Sequence, residues 1–174
     1  MAELVFERAR KEAKAIRSAY HVPTDGTSGL KNIAAQLGAE VIFAPLEQDE
    51  AGFIVKKNRE PLASIVVNGN DIVERQRFTL AHEIGHLVAC EVVAGESQYS
   101  FMDYHSRRNG YNLHEFFADE FAGELLMPAV PLLTRLSKFS QYETAVRFGV
   151  TLSALDRRMA RLQENPPEEL ACLE

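Results

Sequence analysis

His82 and His86 bracket the stretch "HEIGH" within "FTLAHEIGHLVAC" (residues 78–90), with Glu83 beside the first histidine. Four residues apart on a helix, two side chains lie on one face about a turn apart. Two imidazoles so placed can share one tetrahedral cation, and Zn2+ is the usual match for nitrogen donors. Glu83 leaves the helix beside the ion rather than at it. A carboxylate there can take a proton from a water activated by the metal and return it to a leaving amine. Gly85 leaves room on the helix surface for a close neighbour or for substrate. The same residues also fit an ordinary core helix with hydrogen-bonded histidines, so a further donor decides between the two readings.

A catalytic zinc takes three protein donors and keeps one position open. Cys90 comes eight residues after His82, yet it lies a full turn beyond His86, further from an ion held between the histidines. "LVACEVVAGE" contains no third histidine. His105 and His114 remain available, the former in a stretch without periodicity. The best candidate is Glu115 in "EFFAD", because Asp119 follows four residues later and shares its helix face. One carboxylate can bind metal while the other accepts the free N–H of a ligating histidine and fixes its tautomer. The competing reading makes Glu115, Asp119, Glu120 and Glu124 a solvated acidic face. Arg75 and Arg77 either position substrate or backbone, or are exposed first-turn cations.

These residues need helices, and the patterning supplies them. Leu4, Val5, Ala9, Ala13 and Ile16 alternate with charges as an amphipathic helix over residues 3–20. A second helix covers 28–37 and stops at Gly38. "EVIFAPL", "GFIVKK" and "LASIVVNG" are short, rich in Val, Ile and Phe, and separated by turn residues, which predicts three strands. The His82 helix follows and runs to about Cys90. Residues 91–112 have no sustained period and read as an extended loop. Leu113 opens the helix of Glu115, with Phe117, Phe121 and Leu125 spaced by four, and Pro128 ends it. The expected fold class is α+β: a small three-stranded sheet packed with helices, two of which form the metal site, and a C-terminal helical hairpin.

The chain has 174 residues, 46% of them hydrophobic and 25% charged, with a net charge of −6. That is enough for one folded domain with a small appendage. The net charge gives no whole-chain case for nucleic-acid binding, which needs clustered Lys and Arg. Two cysteines, Cys90 and Cys172, stand outside any metal spacing and suit a reducing compartment. The first twenty residues lack the apolar run of a signal peptide, and no stretch approaches a membrane span. A cytoplasmic location is expected.

"RQRFTLAHEIGH" followed by "EFFADEFAGELLMP", after a strand region with "ASIVVN", resembles the ImmA/IrrE family of bacterial and phage metallo-endopeptidases. The likeness covers roughly residues 25–130. It implies zinc ligands at His82, His86 and Glu115, Glu83 as general base, and Asp119 as partner of a ligand. It also implies a substrate: a helix-turn-helix repressor of the Xre type, whose cleavage or inactivation relieves repression of phage, mobile-element or stress-response genes. Residues 1–130 are expected to form the metallopeptidase domain and 131–174 a helical, helix-turn-helix-like segment with an acidic tail.

Within that segment, "SQYETAVRFGVTLSALDRRMARL" reads as helix, turn and helix. Six Lys or Arg face Glu143 and Asp156 between residues 134 and 162. A basic second helix could enter a DNA groove. Val146, Phe148, Val150, Leu152 and Leu155 argue instead for a hairpin packed on the core, with its arginines solvated or docking a repressor. Tyr104, His105, Tyr111 and His114, between the two metal helices, are candidate donors to an oxyanion. A rival to the enzyme is a regulatory binding module or toxin–antitoxin component, sequestering a repressor or DNA around a structural or weakly active zinc site.

Overall fold

The alternation of apolar and charged residues near the N-terminus produces α1 (Val5–Ala19), which turns Ala9 and Ala13 inward with no exposed surface. The computed structural model describes residues 4–56, 61–94, 101–104 and 113–167. α2 (Ser28–Gln36) buries Leu30, Ile33 and Ala34, and the chain leaves it through Gly38 at φ 78°. The three expected strands follow as β1 (Ala39–Ala44), β2 (Gly52–Lys56) and β3 (Ala63–Asn68).

α3 (Val73–Ala94) does not end near Cys90 but continues to Ala94. Within the stretch expected to be loop, β4 (Phe101–Tyr104) forms a fourth strand. Four residues carry no readable period. Their pairing with β2, from Phe53 opposite Tyr104 to Lys56 opposite Phe101, is a long-range contact that no local pattern announces.

The sheet is mixed, in the order β1-β3-β2-β4. β1 and β3 run parallel, while β2 is antiparallel to both β3 and β4. β1 and β4 are therefore its edges. The buried side chain of Asn68, at the end of β3, holds the β1–β2 connection in place. Its Nδ2 donates to the carbonyls of Glu47 (3.2 Å) and Glu50 (2.8 Å), and its Oδ1 accepts from the N–H of Asn70 at 3.0 Å.

α4 (Leu113–Leu126) lies between α3 and α1, and α3 in turn packs on β2 and β3. Being covered on both sides, α4 buries Phe117, Ala118 and every residue from Glu120 to Leu126. Glu120 and Glu124 thus belong to no solvated face. Arg10 Nε donates to Glu120 Oε1 at 2.6 Å, Arg158 Nη1 donates to the same oxygen at 2.6 Å, and Arg158 Nη2 pairs with Glu124. Buried charges persist only when paired in this way.

α5 (Ala129–Leu136), α6 (Gln141–Phe148) and α7 (Leu152–Glu164) complete the described chain. Ser140 and Glu143 cap α6 reciprocally, and Gly149 closes it in the left-handed region at φ 62°. Thr151 caps α7 by accepting from the N–H of Ala154 at 3.1 Å. α6 and α7 follow one another across the turn at Gly149; Phe148, Val150 and Leu155 pack into the core, whereas Val146 and Leu152, expected there too, are exposed. The arginines of this segment are not all solvated: Arg158 is 2% exposed. Cys172 and most of the acidic tail lie outside the described residues.

Candidate metal centre

The site depends on how closely two helices approach. Gly85, between the two histidines of α3, faces α4. A Cβ there would lie 2.9 Å from Ala118 Cα, 3.1 Å from Ala118 O and 3.1 Å from Phe121 Cδ1. Only a residue without a side chain permits this contact, so the space read from the sequence is filled by a neighbouring helix. Glu115 and Asp119 flank Ala118 on α4, and the contact brings them onto the histidines.

Three donors then converge. His82 Nε2 lies 3.0 Å from His86 Nε2 and 3.5 Å from Glu115 Oε2. His86 Nε2 lies 3.6 Å from Glu115 Oε1. All three residues offer ligand atoms within 4.8 Å of one another. A tetrahedral zinc with bonds of about 2.0–2.1 Å separates its donors by roughly 3.3 Å. The observed separations bracket that figure, and two imidazoles with one carboxylate are a suitable donor set for zinc. The residues fit the ion.

Behind His82 stands Asp119, whose Oδ1 lies 2.9 Å from His82 Nδ1. A carboxylate there makes Nδ1 the donor nitrogen and leaves the Nε2 lone pair for the point of convergence. Burial alone pulls the His82 imidazole toward neutrality. Hydrogen bonds to Asp119 and Glu115, and the charges of Glu83 and Asp119, outweigh it and raise the pKa to about 9. Burial likewise pushes the Asp119 carboxyl up, but His82, Arg161 and Arg157 together bring it below its ordinary value. Arg161 Nη2 donates to Asp119 Oδ2 at 2.8 Å.

Glu83 is 1% exposed, yet it lines a cleft of about 790 Å3 together with His82, Glu115 and Asp119. That volume falls within the ordinary range for ligand pockets. The opposite walls come from Ala51 and Gly52 where the chain enters β2, from Asn70 to Ile72 with Arg75, and from the first two turns of α7 with Ser153 and Arg157. The C-terminal hairpin therefore forms part of the cleft.

The two arginines before the motif have different places. Arg75 pairs with Asp71 at 3.2 Å and lines the cleft. Arg77 is 2% exposed and is no surface cation. It donates to the carbonyls of Pro23 (2.8 Å) and Gly149 (3.0 Å), and also to that of Gly26. Cys90 is half-buried and stands outside the group of three converging donors. Of the candidate oxyanion donors, His114 is exposed at the start of α4. His105, Tyr111 and the side chain of Tyr104 lie outside the described residues.

Sequence reasoning missed Arg10, Arg158 and Arg161. One signal was available: Arg158 falls among Ala154, Leu155 and Leu162 on the apolar stripe of α7, where a solvated cation has no place. No helix among the described residues is long and apolar enough to cross a membrane.

With this geometry in view, comparison with known proteins is informative. Residues 34–160 match the peptidase family Peptidase M78, described as the IrrE N-terminal-like domain. The radiation response metalloprotease IrrE of Deinococcus radiodurans is 28% identical over 134 residues, covering 75% of this chain. The match takes in 38% of that relative, so the chain spans well under half of its length. The family match runs through both metal helices and on into α7, and the chain belongs to the IrrE N-terminal-like domain family.

Proposed function

We propose that the protein is a zinc-dependent endopeptidase that cuts, and so inactivates, an Xre-type helix-turn-helix repressor. The observation carrying this reading is the convergence of His82, His86 and Glu115 on one point at the wall of an open cleft, with the Glu83 carboxylate beside them. His82, His86 and Glu115 would hold the ion. Bound there, zinc supplies Lewis-acid chemistry, polarising a peptide carbonyl and making water more acidic. Glu83 accepts the proton from the attacking water and returns it to the leaving amine. Asp119 keeps the His82 proton on Nδ1 throughout. An edge of the sheet would align an extended substrate by main-chain pairing.

The repressor as partner rests on family likeness, and so does a role in a regulated response, as the name of the Deinococcus relative suggests. One feature of the chain favours a protein over DNA as the partner. The N-terminal turn of the second helix, which a helix-turn-helix protein presents to base edges, lines the cleft here.

Co-incubation of the zinc-loaded protein with the repressor encoded beside its gene tests the reading, wild type against Glu83→Gln. Cleavage is expected from the wild type and a loss of 100-fold or more, ~10^2–10^4, from the variant. If both relieve repression equally and neither cuts, a sequestering module takes the enzyme's place.

A further inference from the structure

We propose that Arg161, on the last described helix, is a positioning residue of the metal centre: it holds one oxygen of Asp119, aims the other at His82, and so helps to set metal affinity. The proposal rests on the metalloprotease reading of the site.

A carboxylate alone is a poor orienting group, because its terminal torsion is broad and roughly two-fold. Asp119 is not left alone. Its Oδ1 meets His82 Nδ1 at 2.9 Å while its Oδ2 accepts from Arg161 Nη2 at 2.8 Å. With both oxygens engaged, the plane of the carboxylate is fixed, and with it the ring of His82. Arg161 is itself held. Its guanidinium carbon lies 4.9 Å from the centre of the Phe116 ring, and its Nη1 is 3.6 Å from Glu120 Oε2. One turn earlier, Arg158 fastens α7 to α4 through Glu120, Glu124 and the carbonyl of Met127 at 3.3 Å. A line of contacts thus runs from α7 through Asp119 to His82.

Charge points the same way. Glu83, Glu115 and Asp119 crowd three carboxylates around two imidazoles. A divalent ion offsets two of them, and Arg161 brings a guanidinium that is hydrogen-bonded to the cluster. Partners lying behind a metal ligand typically change affinity by about 10–100-fold when removed. Arg161 stands one step further out, so the low end of that range is expected.

The test is zinc affinity of the full chain, measured by competition with a chromophoric chelator, for wild type, Arg161→Gln and Arg161→Lys. The melting temperature of each metal-free form is followed alongside. Glutamine is expected to weaken zinc binding about tenfold, and lysine, which retains a charged donor, to recover most of the loss. Equal affinities in all three proteins overturn the assignment of Arg161 and leave the metal reading standing. So does a loss that lysine fails to restore and that follows a fall in metal-free melting temperature, since Arg161 is then only a structural anchor. A wild type that takes up no zinc overturns the metalloprotease reading itself.

Discussion

Substituting Gly85 by alanine sets two effects against each other, and the structure says which prevails. In an exposed helix interior this change is favourable by about 1 kcal/mol, because glycine loses more backbone freedom on folding. Here the added carbon meets Ala118 Cα at 2.9 Å and Phe121 Cδ1 at 3.1 Å. Carbon atoms settle at about 3.5–4.0 Å, so α4 has to withdraw by roughly 0.5–1 Å. Ala118 cannot turn aside, since the atom struck belongs to the backbone. Overpacking of this kind costs about 1–3 kcal/mol, which cancels the propensity gain and leaves a net destabilisation of about 0–2 kcal/mol. For a chain of this size that lowers the melting temperature by up to about 8 °C. The sharper consequence is at the metal centre. Glu115 already stands 3.5 Å and 3.6 Å from the two histidine nitrogens, and withdrawal of its helix lengthens both separations. Zinc affinity of Gly85→Ala, titrated against a competing chelator, is expected to fall tenfold or more. A variant that melts higher than wild type and binds zinc as tightly would refute the argument that this helix contact assembles the site.

Four further outcomes are expected. Glu115→Ala removes one of three converging donors and should weaken zinc by at least the ~10–100-fold seen for partners behind a ligand; unchanged affinity in equilibrium dialysis excludes Glu115 as a ligand. Because the metal-free His82 carries its proton up to about pH 9, zinc must displace that proton below this pH. Affinity should therefore rise about tenfold per pH unit toward pH 9 and flatten above it, with proton release visible by calorimetry in buffers of different ionisation enthalpy; a flat affinity between pH 7 and 8.5 contradicts this. By the same sign, the His82 contribution to the stability of the metal-free fold is complete below the ordinary histidine pKa of about 6.5 and is lost as pH rises through about 9. Arg158→Met takes the guanidinium from the buried Glu124, leaves Glu120 to Arg10, and should cost about 3–5 kcal/mol, read as a lowered denaturation midpoint with an unchanged slope. A shift under 1 kcal/mol, roughly the worth of an exposed pair, would mean that the cluster is hydrated.

The convergence of His82, His86 and Glu115 was the most legible part of the chain, because its parts repeat at the helical period. His82 with His86, and Glu115 with Asp119, each lie four apart, and a spacing of four is a statement about one face. The sheet was legible in its first three strands, where β-branched residues concentrate between turn residues. β4 was not, since four residues pair with β2 only because the chain returns to them. Glu120 and Glu124 misled for a related reason. An acidic residue on a helix reads as solvated unless its cationic partner is known, and the partners here are Arg10 and Arg158, distant in sequence. Arg77 hid in the same way: its partners are backbone carbonyls, which leave no mark on the sequence.

The bond from Arg10 Nη1 to the carbonyl of Asn165, 2.8 Å long, spans 155 residues. It has a consequence in time. α1 leaves the ribosome before α4 and α7, carrying an arginine whose buried partners have not yet been made. At a typical 5–20 residues per second, Asn165 follows Arg10 after roughly 8–30 s. Until α7 emerges, Glu120 and Glu124 have no Arg158 and Asp119 has no Arg161, although the whole "HEIGH" helix is already synthesised. A nascent chain therefore carries its histidines and Glu83 well before it can hold them in working order. In the peptidase proposed above, that delay would keep the cutting edge blunt during synthesis.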